Sequence, residues 1–169
     1  MRMRYSLALT AALGVPASAA ELTVKLELPR IPVAEYHRPY AAVWVERADQ
    51  SVAANLAVWY DLKKKDNEGT KWLKDVRQWW RKSGRELQMP VDGLSGATRA
   101  PGEHQLVFAA RSPLDQLPAG DYAVVVEAAR EGGGREVVRL PFQWPPKGPQ
   151  GVKVRGDHEL GAVGVELKP

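Results

Sequence analysis

By type and spacing, the residues of this chain best suited to chemistry are Asp92-Gly93-Leu94-Ser95-Gly96-Ala97-Thr98. Asp-Gly and Ser-Gly are turn-forming pairs, and Pro101-Gly102 follows closely, so the stretch reads as an exposed turn. Within it Thr98 supplies a hydroxyl, Gly96 and Ala97 leave no bulk beside that hydroxyl, and Ser95 can hydrogen-bond the local backbone. A threonine hydroxyl is a poor nucleophile until a base activates it. A base brought by a second protein would make Thr98 an acceptor for a transferred group. The same residues also form a plain turn, and the two readings do not exclude each other, because an exposed turn is what such an acceptor requires.

Other chemistry finds less support. His37, His104 and His158 share no metal-ligand spacing, so no metal site is expected. No nucleophile elbow, catalytic triad, phosphate-binding glycine loop or paired-carboxylate site is present in the sequence, and a conventional hydrolase is not indicated.

The elements that must carry the Asp92–Thr98 stretch are mainly strands. Period-two alternation in short runs, separated by turn residues, predicts an antiparallel β-sandwich of seven strands with an immunoglobulin-like fold. Leu22, Val24, Leu26 and Leu28 form one face; Tyr40 to Val45, Leu56 to Tyr60 and Gln105 to Ala110 give three more strands. The clearest hairpin runs from Tyr122, Val124, Val126 and Ala128 through Gly132-Gly133-Gly134 into Val138, Leu140 and Phe142. Gly161 to Leu167 closes the chain, after a stiff connector of Pro145-Pro146 and Gly148 to Gly151.

One segment breaks the alternation. From Thr70 to Lys82, Trp72, Leu73, Val76, Trp79 and Trp80 recur with helical spacing and occupy roughly a third of a helix surface, which predicts an inserted amphipathic helix with Thr70 as N-cap and Gly84 as stop. Its polar face carries Lys71, Lys74, Arg77, Arg81 and Lys82, a pattern that simple solvation explains. Three tryptophans on one stripe suit a core, and they equally suit an aromatic wall for a flat ligand.

The amino terminus reads as a secretory signal over residues 1–20. Arg2 and Arg4 precede a short apolar run from Leu7 to Val15, and Ala17-Ser18-Ala19-Ala20 offers cleavage after Ala19 or Ala20. A single domain from 21 to 169 is expected to follow. With no cysteine, the chain has neither a disulfide nor a lipid-anchor cysteine, so a soluble periplasmic protein is expected. Without Arg2 and Arg4, Lys plus Arg falls from 24 to 22 against 20 Asp plus Glu, a net charge near +2 that is no nucleic-acid signature.

The Asp92–Thr98 run resembles the Asp-x-x-Ser/Thr-Gly-Ala-Thr/Ser signature of extracytoplasmic electron-transfer proteins such as the FMN-binding electron-transport subunits. The resemblance implies that an FAD:protein FMN transferase esterifies FMN to Thr98, with Asp92 helping that enzyme recognise the site. Arg77, Arg81, Arg85 and Arg99 would then balance an added phosphodiester, Trp79 or Trp80 would dock the isoalloxazine, and His104 would approach it. More widely, the runs 34–44, 57–61, 69–75 and 141–146 (the last Pro141-Phe142-Gln143-Trp144-Pro145-Pro146) resemble a bacterial periplasmic family of uncharacterised immunoglobulin-like proteins. That resemblance implies company with PepSY-type membrane proteins and the transferase. The expected function is a flavoprotein electron carrier; the alternatives are a non-catalytic binding or assembly module and, last, an enzyme using FMN on a small substrate.

Overall fold

Alternation in the sequence becomes two sheets in the structure, a computed structural model that describes residues 19–109 and 111–169. The signal segment expected over residues 1–20 lies almost wholly outside the described residues, as does Ala110. Among the described residues nine strands form: β1 (Glu21–Leu28), β2 (Tyr40–Arg47), β3 (Val52–Tyr60), β4 (Ser95–Ala97), β5 (Gly102–Phe108), β6 (Gly120–Ala129), β7 (Arg135–Trp144), β8 (Gln150–Arg155) and β9 (Ala162–Lys168). One sheet has the order β5-β1-β9-β8 and the other β4-β3-β2-β6-β7. All pairings are antiparallel except β3 with β4, which is parallel. The expected β-sandwich is therefore the fold.

The core sits between the sheets. Leu22, Val24, Leu26 and Leu28 of β1 meet Ala41, Val43 and Val45 of β2 and Val124 and Val126 of β6 there. The strand start that the sequence marks at Leu117–Tyr122 is pinned by the Tyr122 hydroxyl, which donates to Pro118 O at 2.7 Å.

The strands β2, β3 and β6 of the five-stranded sheet are largely buried on both faces. Tyr40, Ala42 and Trp44 of β2 and Val58 and Tyr60 of β3 point away from the sandwich core into a second cluster with Leu73, Val76 and Trp79 of the inserted segment. Burying a tryptophan removes on the order of 200 Å² from water, about 5 kcal/mol of transfer free energy, so fully buried Trp79 is the main anchor of the insertion.

The insertion departs from a continuous helix over 70–82. Residues Lys65–Asp75 form 3₁₀ turns, interrupted by left-handed Asp66 and Asn67, and only Arg77–Lys82 forms an α-helix, α1. Val76 leaves helical geometry between them (φ −78°, ψ 70°). The break has a tertiary cause: the buried carboxylate of Glu127 on β6 accepts the N–H groups of Gln78 at 3.0 Å and Trp79 at 2.8 Å, so the helix starts where those donors are met. Thr70 is accordingly no N-cap; its hydroxyl donates to Asn67 O. Gly84 follows the C-cap Ser83 and is needed for space, since a Cβ there would lie 2.5 Å from the Trp79 ring. The connector expected through Gly151 is partly strand, because Gln150 to Arg155 pairs with β9.

Candidate functional site

Strand order brings five chain segments to one end of the five-stranded sheet. Tyr40 opens β2 opposite Ala129, which closes β6; Ala129 in turn pairs with Arg135, which opens β7. Beside β2, β3 ends at Tyr60, and Tyr60 pairs with Ala97, the last residue of β4. The insertion leaves β3 here and folds back over the sheet.

The Asp92–Thr98 stretch is a turn that becomes an edge strand. Gly93 takes φ 74°, a left-handed conformation that glycine adopts without strain. Leu94 and Ser95 N–H donate to Val91 O, and the Ser95 hydroxyl accepts Val91 N–H at 2.8 Å, closing the turn. Leu94 O then accepts Val58 N–H at 2.8 Å, and Thr98 N–H donates to Tyr60 O at 3.1 Å. Thr98 is half-buried between exposed Ala97 and exposed Arg99; Asp92 and Gly93 are exposed. Gly96 lies against Trp59, whose Cδ1 would be 3.1 Å from an added Cβ.

Thr98 borders a cleft of about 640 Å³ at the sheet end. Tyr36, Trp72, Arg38, Lys64, Arg77 and the Gly132–Gly134 turn form much of its wall. A neighbouring depression of about 400 Å³, lined by Tyr60, Lys63 and Ala97, also reaches Thr98. Trp72 is 49% exposed, so it contributes little to the core.

The cations of the cleft fall into two groups. The Arg130 side chain is buried and bound twice by Glu159, at 2.9 and 3.2 Å, with its guanidinium 5.7 Å from the Tyr36 ring centre; Arg135 is paired with Glu127 at 2.8 Å. By contrast Arg38, Lys64 and Arg77 have no carboxylate within 4.0 Å among the described residues. Asp61, Asp75 and Glu131 also line the cleft, which moderates its field without neutralising those three side chains directly. Burial pushes the Tyr40 hydroxyl up to about 12, so at neutral pH it remains a donor, held on Gly69 O at 3.0 Å. Burial also raises Tyr36, and the Arg130 charge only partly offsets it.

Several expected site residues lie elsewhere. Trp79 is fully buried with its indole N–H on Asn55 Oδ1 at 2.9 Å, and Trp80 packs on the same cluster; neither lines the cleft that Thr98 borders. Both stand with the core, because the sheet face beneath the insertion takes up that side of α1. Arg77 reaches the cleft, whereas Arg81, Arg85 and Arg99 are not in its wall. Arg85 pairs with Glu86 at 3.2 Å, and Arg99 lies 5.2 Å from the Trp59 ring centre. His104 sits edge-on to Trp59 at 5.7 Å and contacts Ala100 O, and it is not in the cleft wall. His37 lines the cleft near Glu35 and Glu131, and His158 belongs to the turn before β9.

A family model described as "Predicted periplasmic protein (DUF2271)" matches residues 21–162. The chain belongs to this family. Comparison with the curated proteins and with the solved structures finds no match. The matched span takes in the five-stranded sheet, β1, β5 and β8 of the other sheet, the insertion, Thr98 and the whole cleft wall, and it ends where β9 begins. Among the described residues no helix is long and apolar enough to cross a membrane.

Sequence reading does not single out Tyr36, Arg38, Lys64 or the special position of Trp72. Their only shared signal is proximity to strand ends, which becomes informative once the strand order is known.

Proposed function

We propose that this family member is a periplasmic electron carrier with FMN esterified to Thr98. The observation that carries the reading is the placement of Thr98. A hydroxyl within a flavin-attachment-like heptapeptide directly follows the edge strand β4, between exposed neighbours, at the border of a cleft that offers an aromatic face and three cations without carboxylate partners among the described residues. A flat ring on a phosphate arm needs both. Covalent loading would join Thr98 Oγ1 to the FMN phosphorus as the pyrophosphate bond of FAD breaks, AMP leaves, and the threonine proton passes to a base of the transferase.

The chain's own contribution is position. Thr98 N–H is held by Tyr60 O, so the residue's backbone is fixed while its side chain is modified. Exposed Asp92 and Gly93 give the FAD:protein FMN transferase a surface to grip. Arg38, Lys64 and Arg77 offset phosphodiester charge, and Arg130, locked by Glu159, supports the Tyr36 wall. Bound FMN supplies reversible electron exchange. A PepSY-type membrane redox protein is the proposed electron partner.

Export would remove the segment through Ala19 or Ala20. Strand β1 starts at Glu21, so neither cleavage point takes a strand residue. Amino-terminal sequencing of periplasmic material should read from Ala20 or Glu21; material beginning at Met1 would end the export argument.

Co-production with the transferase and secretion tests the main proposal. The protein should be yellow, heavier by one FMN less one water, and modified on the Thr98 peptide, and Thr98→Ala should lose the adduct with its melting temperature nearly unchanged. An unmodified, colourless protein under those conditions would favour the binding-module alternative.

A further inference from the structure

The cleft contains a feature that folding does not account for. Leu73, Val76 and Trp79 already fasten the insertion to the sheet, yet Trp72, in the same segment, leaves about half its surface in water on a cleft wall. Opposite chemistry stands around it. Arg38, Lys64 and Arg77 are exposed and lack carboxylate partners within 4.0 Å among the described residues. Glycine keeps part of the wall low: Gly132 takes φ 66°, and a Cβ on Gly133 would lie 2.4 Å from the Arg130 guanidinium. The volume, about 640 Å³, falls in the range of small-ligand sites.

We infer that this cleft is itself a binding site for a planar aromatic anion, with Trp72 as the stacking face and Arg38, Lys64 and Arg77 as the cations that receive its phosphate. The choice of flavin as the ligand rests on the function proposed above; the planar-anion chemistry rests on the cleft alone. Trp72 therefore takes the role that the helical pattern offered to Trp79 or Trp80. The covalent bond at Thr98 retains the ligand, and the cleft orients it. An indole stacked on isoalloxazine quenches flavin emission, which gives a readout independent of electron transfer.

The test uses the full mature chain made without the transferase, titrated with FMN, riboflavin and inorganic phosphate, and the flavinylated chain in parallel. FMN should bind saturably with quenched emission, riboflavin about tenfold more weakly, and phosphate should compete with FMN. Trp72→Leu should weaken FMN about fivefold and restore emission in both the free and the tethered forms. Lys64→Gln with Arg77→Gln should abolish most of the preference for FMN over riboflavin while leaving the quench. All three substituted side chains are exposed, so unchanged melting curves are expected and confirm folding.

Absence of saturable FMN binding together with bright tethered flavin would overturn the cleft and leave attachment at Thr98 standing. Equal binding of FMN and riboflavin, or an undiminished quench in Trp72→Leu, would also overturn it. Saturable, quenched binding by a chain that the transferase never modifies would keep the cleft and remove the attachment.

Discussion

The Glu127 carboxylate accepts the backbone N–H of Trp79 at 2.8 Å, so a buried carboxylate on β6, between β2 and β7, sets the first turn of α1. The same carboxylate holds Gln78 N–H and the Arg135 guanidinium. One side chain thus ties together the insertion that carries Trp72 and the strand β7 that opens at the cleft.

Removing that tie should be costly. Glu127→Ala leaves two helix N–H groups and a cation without their acceptor, all beside fully buried Trp79. Breaking a buried pair costs about 3–5 kcal/mol, and the partial exposure of Arg135 reduces this to about 2–3. Thermal melting should fall by about 5–10 °C. Glu127→Gln keeps one acceptor and should lose less. A Glu127→Ala protein that melts like the wild type would show that the insertion starts without this cap.

The Tyr60 hydroxyl supplies a prediction of opposite sign. It is buried with no hydrogen-bond partner among the described residues, and an unpaired buried hydroxyl costs on the order of 1 kcal/mol or more. Tyr60→Phe keeps the ring that packs edge-on to Tyr40 at 6.2 Å and removes only that cost. The Tyr60→Phe protein, free of flavin, should melt about 2–4 °C higher than the flavin-free wild type. A lower melting point would mean that the hydroxyl does find an acceptor in the folded protein.

Acid should loosen the cleft wall through Glu136. Burial raises its pKa, but N–H donors from Asp157, Leu160, His158 and Glu159 outweigh burial and hold it below the ordinary 4.5. Glu46 behaves alike: burial raises it, and Lys82, Arg139 and Trp44 together bring it below 4.5. In both cases the unfolded chain takes up the proton first, so the stabilisation is complete above the ordinary carboxyl range and is lost as pH falls through the lowered folded values. Melting temperature should be level from about pH 8 to 5 and drop below about 4.5. Because Glu159 sits in the turn that Glu136 binds, its hold on Arg130 should weaken in the same range. Glu136→Gln should lower stability at neutral pH and flatten the acid slope; an unaltered slope would assign the titration elsewhere.

Much of this architecture is legible in the sequence, for local reasons. The strands β1, β7 and β9 alternate strongly, β2 and β6 are apolar on both faces and read as strands from their valine and aromatic content, and Gly132–Gly134 marks the β6–β7 hairpin. The missed strands lack such cues. Val152 and Val154 alternate with Lys153 and Arg155 in β8, but flanking glycines and prolines mask the pattern; β4 has three residues and pairs in parallel with β3, a contact with no short-range signature. The stripe of the insertion is also legible, yet its break at Val76 depends on Glu127, about fifty residues onward. Likewise the types of Thr98 and Gly96 can be read locally, whereas the cleft facing Thr98 is assembled by strand order from Tyr36, Lys64, Trp72 and Arg77.

Two glycines near Thr98 should separate fold from recognition. A Cβ on Gly69 would lie 2.1 Å from the Asp61 carbonyl oxygen, a backbone atom at the end of β3 that cannot move without shifting the insertion. Gly69 O also accepts the Tyr40 hydroxyl, so the shift would reach the cleft from two sides. Gly69→Ala should therefore cost about 2–3 kcal/mol, as overpacking does. At Gly96 the nearest atom is Trp59 Cδ1 at 3.1 Å, a side chain that needs to give by only a few tenths of an ångström, and Gly96 has no positive φ. Gly96→Ala should cost under about 1 kcal/mol. Flavin loading reads out the difference in kind. Gly96→Ala should remain folded while losing most of its adduct, because the added methyl stands beside the acceptor during transfer. Gly69→Ala should lose loading only in proportion to its unfolded fraction. A Gly96→Ala protein that is both fully folded and fully flavinylated would remove the requirement for a bare backbone next to Thr98, and with it the main physical reason for a glycine in that heptapeptide.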